Sequence, residues 1–360
     1  MSAPFTAAGQ RFRARVRARA ALISSGVLLA FLGVACDTGD HSDLTPAAGS
    51  AGLAAGGDSA GGGLPAGGNA GAGASPMWTT NGGKYQLTLG STYLELDPAN
   101  GARMTALRAS GSAGPNLLAD SATTGQDDNW GSTFWPSPQN WTWPPTVEGS
   151  INAINTLPYG VSSDALSLTL TSQLNATAPT VSVVKKFSAD VAKLAIVIDY
   201  TMTNGGTAPV TVAPWEITRV AAGGITFYAE ASPPVVHDAG MVLPPTTLTD
   251  GVRWYQHDPS VVDPTKFFSD GKGWIAHAAG DLLLIKSFPD LTPEQSPTGE
   301  AEIEIFAAPK YVEVENQGAV KTLAAGEALH WTVRWYARKL PAPAVVGSAD
   351  LVAYVQNQIK

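Results

Sequence analysis

Cysteine is nearly absent from this chain: Cys36 is the only one in 360 residues. No disulfide can close within it, and a domain above ~150 residues needs none, because it buries most of its surface without covalent staples. Long apolar runs are missing as well. The one candidate, Ala20 to Ala35, holds Ser24 and Ser25 and is 16 residues long, short of the roughly 20 that a permanent spanning helix requires. Positive charge is scarce: 22 Lys and Arg face 30 Asp and Glu, a net charge of −8. The sole basic cluster is Arg11, Arg13, Arg15, Arg17 and Arg19. Chemical signatures are also lacking. There is no Gly-x-Ser-x-Gly elbow, no phosphate-binding loop and no pair of His at zinc-ligand spacing. Asp127-Asp128-Asn129 offers oxygens of the kind calcium takes, but three consecutive residues cannot all turn to one ion. Neither a metal nor a cofactor is expected.

The amino-terminal order of basic, apolar and then small residues is that of a bacterial export signal. Val34-Ala35-Cys36-Asp37-Thr38 resembles the lipobox of bacterial lipoproteins, with Gly33 where Leu is usual and Leu32 one step earlier. The resemblance implies cleavage after residue 35, lipid on Cys36 and a place in the cell envelope. Stable anchoring there takes more than one acyl chain. The other reading is an ordinary secretory signal whose Cys is incidental. Loss of residues 1–35, with five Arg and no acid, would leave 17 basic and 30 acidic groups, a net charge of −13. Such a surface repels nucleic acid and anionic membranes, so no nucleic-acid partner is expected and any membrane contact runs through the lipid. Residues 36–83 read as a tether rich in Gly and Ala, and about 40 such residues reach roughly 35 Å on average.

From residue 84 to 340 the pattern changes. Tyr85–Leu89, Thr92–Asp97, Leu166–Thr171, Leu194–Met202, Ala301–Phe306, Tyr311–Glu315 and Ala328–Tyr336 alternate apolar and polar residues, with turn residues between them. Many short strands without interleaved helices describe one large all-β domain, an antiparallel sandwich or barrel. A short helix is expected only within 341–360, over Ser348 to Lys360. Glu302 and Glu304 alternate with Ile303 and Ile305, and such carboxylates are expected to face solvent.

The densest chemistry lies in 127–145, where Trp130, Trp135, Trp141 and Trp143 fall among prolines. The prolines argue for a long ordered loop or edge rather than a central strand. An indole face stacks on a sugar's C–H face while nearby Asp, Asn and Gln bond its hydroxyls. Tryptophans covering a core that no helix covers are the other reading. In Trp215–Arg219, strand alternation places Trp215, Ile217 and Arg219 on one face and Glu216 and Thr218 on the other. Tyr311, Glu313 and Glu315 share a face in the same way, as expected for a strand beside a wet cleft.

Four stretches together resemble a family of bacterial domains of unknown function that belongs with the aldose 1-epimerases (galactose mutarotases). They are Leu94–Arg103, Gly131–Gln139, Thr203–Arg219 and Tyr311–Gln317. The resemblance covers most of 84–340 and implies a large antiparallel β-supersandwich, galactose mutarotase-like, whose concave face holds a carbohydrate. Glu315-Asn316-Gln317 is similar to the mutarotase general-base motif, which implies Glu315 as the base. The His that serves mutarotases as acid has no counterpart: the matching region reads Ala213-Pro214-Trp215-Glu216-Ile217, and His237, His257, His277 and His330 sit in no such motif. The residues assigned to the cleft are Arg103, Trp130, Trp135, Gln139, Trp141, Glu216, Arg219, Glu313, Glu315 and Gln317. Two functions stay open: a non-catalytic, envelope-anchored carbohydrate-binding protein, and a sugar epimerase using Glu315. Paired-carboxylate hydrolysis and a ligand-free envelope protein are the remaining alternatives.

Overall fold

The computed structural model describes residues 76–127, 129–139, 152–174, 180–236 and 242–360. Cys36 with its signal, Asp128, Trp141, Trp143 and His237 lie outside the described residues. Among the described residues no helix is long and apolar enough to cross a membrane.

Two antiparallel sheets make up the domain. The first runs β1 (Met77–Asn81), β2 (Lys84–Leu89), β3 (Thr92–Asp97), β4 (Arg103–Arg108), β5 (Ser132–Ser137), β10 (Val210–Ala221), β19 (Tyr311–Gln317), β18 (Ile303–Ala308), β15 (Thr265–Ser269) and β12 (Val235–Val236), with β20 (Lys321–Leu323) added to β10. The second runs β13 (Thr247–Thr249), β14 (Val252–Gln256), β11 (Ile225–Ala229), β16 (Trp274–Ala279), β17 (Leu282–Ser287), β21 (Ala328–Lys339), β9 (Ala195–Asn204), β8 (Val181–Asp190), β7 (Leu168–Thr171) and β6 (Gly160–Ser163). The first strand starts at Met77, ahead of the expected residue 84. Gly82 and Gly83, at φ 57° and 80°, form the two-residue turn that pairs Asn81 with Lys84, a conformation with two positive φ values that glycine adopts without strain.

Alternation sorts the side chains. Leu94, Leu96, Phe134, Val212, Val220, Ile303, Ile305, Val312 and Val314 of the first sheet meet Leu168, Val183, Ile198, Ile275, Leu284 and Val333 of the second in the main core. The far face of the second sheet carries a separate core of Phe227, Trp254, Trp274, Leu283, Ile285 and Tyr336, where Leu351 and Val355 of the carboxy-terminal helix Ala349–Ile359 pack. Ser348 caps that helix by accepting from the Leu351 N–H. Among the described residues, Trp135, Trp215 and Ile217 form an apolar cluster on the far face of the first sheet. Polar side chains of β10, β19, β18 and β15 lie beside it, with Phe268 next to Lys266.

One expectation fails here. Ser132–Ser137 is a central strand, although Pro136 lies within it. Pro136 stands opposite Pro214 of β10, while β5 meets β4 only at Met104–Ser132. Residues opposite one another without exchanging hydrogen bonds turn their backbone groups to the other neighbouring strand. At Pro136 that neighbour has already diverged, so the missing N–H leaves no gap in the ladder. The Pro214 carbonyl faces the other way and accepts from the Gly318 N–H at 2.9 Å.

Candidate functional site

The far face of β5, β10, β19, β18 and β15 gathers most of the residues assigned to the cleft. On β10 the odd-numbered residues face this side, so Trp215, Ile217 and Arg219 lie beside Glu313, Glu315 and Gln317 of β19 in the register Trp215–Gln317, Ile217–Glu315, Arg219–Glu313. Next come Glu304 on β18, opposite Glu315, and Lys266 on β15. Sequence reading did not single out Lys266. Thr265–Ser269 alternates too weakly to advertise a strand, and pairing with β18 makes it one.

Lys266 Nζ is the hub. It lies 2.8 Å from Glu304 Oε2 and 3.3 Å from Glu315 Oε2, donates to Gln139 Oε1 at 3.0 Å, and stands 4.7 Å over the Trp215 ring. Trp215 Nε1 donates to the same Glu315 Oε2 at 2.7 Å. Gln139 Nε2 donates to Glu304 Oε2 at 2.8 Å. Gln317 Nε2 donates to Glu304 Oε1 and, at 2.7 Å, to Glu300 Oε2. Glu300 also accepts from the Ser137 hydroxyl and from the Gln139 backbone N–H at 2.6 Å. Arg219 Nε pairs with Glu313 Oε1 at 2.8 Å, and its terminal nitrogens donate to Thr133 Oγ1 at 2.7 Å and Asn129 Oδ1 at 3.4 Å.

Two oxygens remain. Glu315 Oε1 and Gln317 Oε1 are buried and have no hydrogen-bond partner. The Gln317 orientation is set chemically, because an amide oxygen turned toward Glu300 and Glu304 would meet carboxylates, so Nε2 faces them and Oε1 faces away. Glu315, Gln317 and Glu304 have no solvent-accessible surface. The wet cleft expected along Tyr311, Glu313 and Glu315 is therefore a dry network of ion pairs and amides. Burial drives the Glu315 carboxyl up to about 7, with Lys266 opposing, Glu313 adding and Arg219 opposing. Burial also raises Glu304, again against Lys266. At Lys266 burial lowers the pKa, but Glu304 and Glu315 outweigh it and hold the ammonium charged.

Glu302 and Glu304 do not face solvent. Both are fully buried, Glu302 by the loops at Gly273 and Leu291 and Glu304 by Gln139, Gln317 and Lys266, and alternation cannot reveal covering by distant parts of the chain. Glu302 accepts the N–H groups of Gly273 at 2.8 Å and Leu291 at 2.9 Å, and burial outweighs those bonds and pushes its carboxyl up to about 7.

Glu216 is the second correction. As an even-numbered residue of β10 it points between the sheets, where Oε1 lies 2.8 Å from Lys286 Nζ and accepts from Trp335 Nε1 at 2.9 Å, and Oε2 accepts from Tyr200 at 2.5 Å. It has no place on the polar face. Trp135 is a third: it is buried and meets Trp215 edge to face at 5.6 Å, so it packs and offers no open ring to a sugar. Trp130 is half-buried at the margin, with the Arg103 guanidinium 4.5 Å over its ring and Arg103 donating to its carbonyl at 2.7 Å. Gly131, at φ 62°, allows this approach, since a Cβ there would come within 2.5 Å of the Met104 carbonyl. Behind the turn before β4, Lys185 donates to the Gly101 and Ala102 carbonyls at 2.8 and 3.2 Å.

The described histidines lie elsewhere. His277 is buried beside Thr226 Oγ1 at 2.9 Å, and burial lowers its pKa to about 3. His257 accepts the Gly223 N–H at 2.8 Å, which requires a neutral ring nitrogen, and burial lowers it too. His330 is exposed beside Thr201. Among the described residues none of them bonds to a member of the polar face.

No family model matches the chain, and no curated protein matches it. Solved structures do. The chain is similar to the Slr1438 protein of Synechocystis sp. PCC 6803, with 13% identity over 73% of this chain and 100% of that one and a TM-score of 0.51. Galactose mutarotase-like proteins of Lactobacillus casei (11% identity, 73% and 100% covered, TM-score 0.49) and Clostridium acetobutylicum (9%, 74% and 99%, TM-score 0.45) are also among its structural neighbours. At such identities the likeness to the Synechocystis protein establishes the fold alone. The fold class is the expected one, an all-β antiparallel supersandwich.

Proposed function

We propose that this chain is an envelope-anchored carbohydrate-binding protein, held by lipid on Cys36, whose ligand lies against the far face of β10, β19 and β18. The observation that supports this reading is the pair of unpartnered buried oxygens, Glu315 Oε1 and Gln317 Oε1. A buried polar atom without a partner costs about 1–3 kcal/mol, and a sugar hydroxyl supplies the missing donor. Trp215 and Lys266 hold Glu315 in place, Glu300 and Glu304 hold Gln317, with Gln139 and the Arg219–Glu313 pair beside them, and Arg103 with Trp130 forms the margin. Trp141 belongs to the same proposal from its sequence position.

A specific feature of Glu315 favours a second reading, proton transfer at a sugar's anomeric hydroxyl. One carboxylate oxygen is fixed by Trp215 and Lys266 and the other is left open, and a carboxyl titrating at about 7 is well matched to a general base near neutral pH. The reaction would still need an acid, which no described His supplies. Calorimetric titration of the full chain with D-galactose and D-glucose tests binding, and polarimetry of freshly dissolved sugar tests turnover. Saturable heat that Glu315→Gln weakens is the expected result; absence of heat with every sugar of a broad panel removes the carbohydrate reading. Catalysed mutarotation that survives Glu315→Gln removes Glu315 as base.

A further inference from the structure

The polar face has an uneven charge balance. Three carboxyls, Glu300, Glu304 and Glu315, are joined through Gln317, Gln139 and one cation, Lys266, in one hydrogen-bonded cluster, and the Arg219–Glu313 ion pair lies beside it. Arg103, the next cation along the sheet, is turned to Trp130. Lys286, behind β19, is paired with Glu216. Even with Arg103 and the Arg219–Glu313 pair counted, carboxyls outnumber cations, and burial makes their joint ionisation costly. The free valences have the same sign of preference. Lys266 directs its three N–H bonds to Glu304, Glu315 and Gln139, and Gln317 Nε2 directs both of its own to carboxylates. What is left open is a carboxyl oxygen and an amide oxygen, both acceptors once Glu315 is ionised.

From this we infer that the site takes an amino sugar, whose ammonium group is received by Glu315 Oε1 and whose neighbouring hydroxyl is received by Gln317 Oε1. The inference rests on the carbohydrate reading above and specifies its ligand. The two residues lie two apart on one strand face, about 7 Å between backbones, a span that one ring with adjacent ammonium and hydroxyl groups bridges once both side chains lean inward. The cluster already shows how it holds an ammonium: Lys266 sits between Glu304 and Glu315 over the Trp215 ring, the arrangement that favours organic cations through charge and ring face together. A metal ion is the other cation to consider, but among the described residues no three Asp, Glu, His or Cys side chains converge to ligate one. The anionic group of an acidic sugar brings only further acceptors and further negative charge, so uronates and sugar phosphates are disfavoured.

Binding a cation also displaces a proton. Glu315 faces Lys266 from β15, Glu304 from β18, Glu313 along β19 and Arg219 from β10, with Lys286 acting from behind. With its carboxyl up at about 7, Glu315 carries a proton much of the time at pH 6.5, and a ligand ammonium beside Oε1 expels it.

The test is calorimetry of the full chain at pH 6.5 with D-galactosamine, D-galactose and D-galacturonate, each in phosphate and in imidazole buffer, whose ionisation heats differ. Galactosamine should bind at least about tenfold more tightly than galactose, as a charge-assisted bond does relative to a neutral one, with galacturonate weakest. Its binding heat alone should change with buffer, reporting proton release. Glu315→Gln should bring galactosamine and galactose to within about threefold, with tryptophan fluorescence verifying that the variant is folded. Equal affinities, or galacturonate the tightest, overturn the amino-sugar inference and leave the carbohydrate reading standing. Persistence of the amine preference in Glu315→Gln also overturns it. Absence of binding to all three overturns the amino-sugar inference, and absence of binding across the broad panel overturns the carbohydrate reading with it. The proton-release measurement needs no variant and decides the question if Glu315→Gln fails to fold.

Discussion

Trp215 and Glu216 are adjacent in the chain, and each belongs to a buried Lys–Glu cluster on an opposite side of the same strand. The inner cluster is balanced. Glu216 meets Lys286, Tyr200 and Trp335, and Lys286 completes its valences on Thr218 Oγ1 at 3.0 Å and the Val314 carbonyl at 3.1 Å. One cation stands against one anion, and neither side chain has an unpartnered oxygen or nitrogen. The outer cluster has more carboxylates than cations and two buried oxygens left open. A closed network of polar groups serves packing and register, because nothing in it can improve by meeting a ligand. An open one carries a standing cost, which a ligand relieves. The contrast between the two clusters is what separates a structural ion pair from a binding site in this protein.

That contrast is easiest to break at Glu216. Glu216→Ala strands the Lys286 ammonium between the sheets and should cost about 3–5 kcal/mol of stability in denaturant titration, the usual penalty for half of a buried pair. A loss below about 1 kcal/mol would mean that the inner cluster is not closed as described. The next effect concerns acid. His277 is held neutral with its pKa lowered to about 3, while the unfolded chain takes a proton near 6.5. Stability is thus fully present above pH 6.5 and lost as pH falls below it, by about 2 kcal/mol at pH 5 from this one residue. Melting curves of the wild type and of His277→Asn across pH 5–8 check this, with the variant flatter.

At pH 5 the smallest effect belongs to the outer cluster. Glu315→Gln should change stability at pH 5 by less than about 1 kcal/mol, since the wild-type carboxyl is already protonated there and the amide mimics it. Its folded pKa lies above the unfolded one, so the folded state binds the extra proton and wild-type stability falls as pH rises from about 4.5 to 7. The variant lacks that fall, and the difference should grow in its favour across the window. A variant that instead loses several kcal/mol at every pH would place Glu315 with Glu216 among the structural residues.

Much of this was legible in the chain. Period-two alternation in Leu166–Thr171, Ala301–Phe306 and Ala328–Tyr336 suffices for strands, and the split of Trp215, Ile217 and Arg219 from Glu216 and Thr218 is the split observed. Alternation cannot say which of two faces is covered, however. Glu302 and Glu304 read as solvent-facing and are buried, and Glu216 was grouped with a face it does not share. Pro136 argued against a central strand because the lapse of pairing with β4, which makes it harmless, is a long-range fact. Lys266, on a short strand with little pattern of its own, gave no local signal at all.

The sequence by itself determined the strand content, the absence of disulfides, the acidic balance and the two-faced character of β10 and β19, because each depends on residue type and local period. The tertiary structure alone decided that Lys266 meets Glu315, that Glu216 closes its network inward, and that two oxygens on β19 remain open. Those outcomes depend on register between strands far apart in the chain and on which face the rest of the protein covers, and neither is encoded within any one segment.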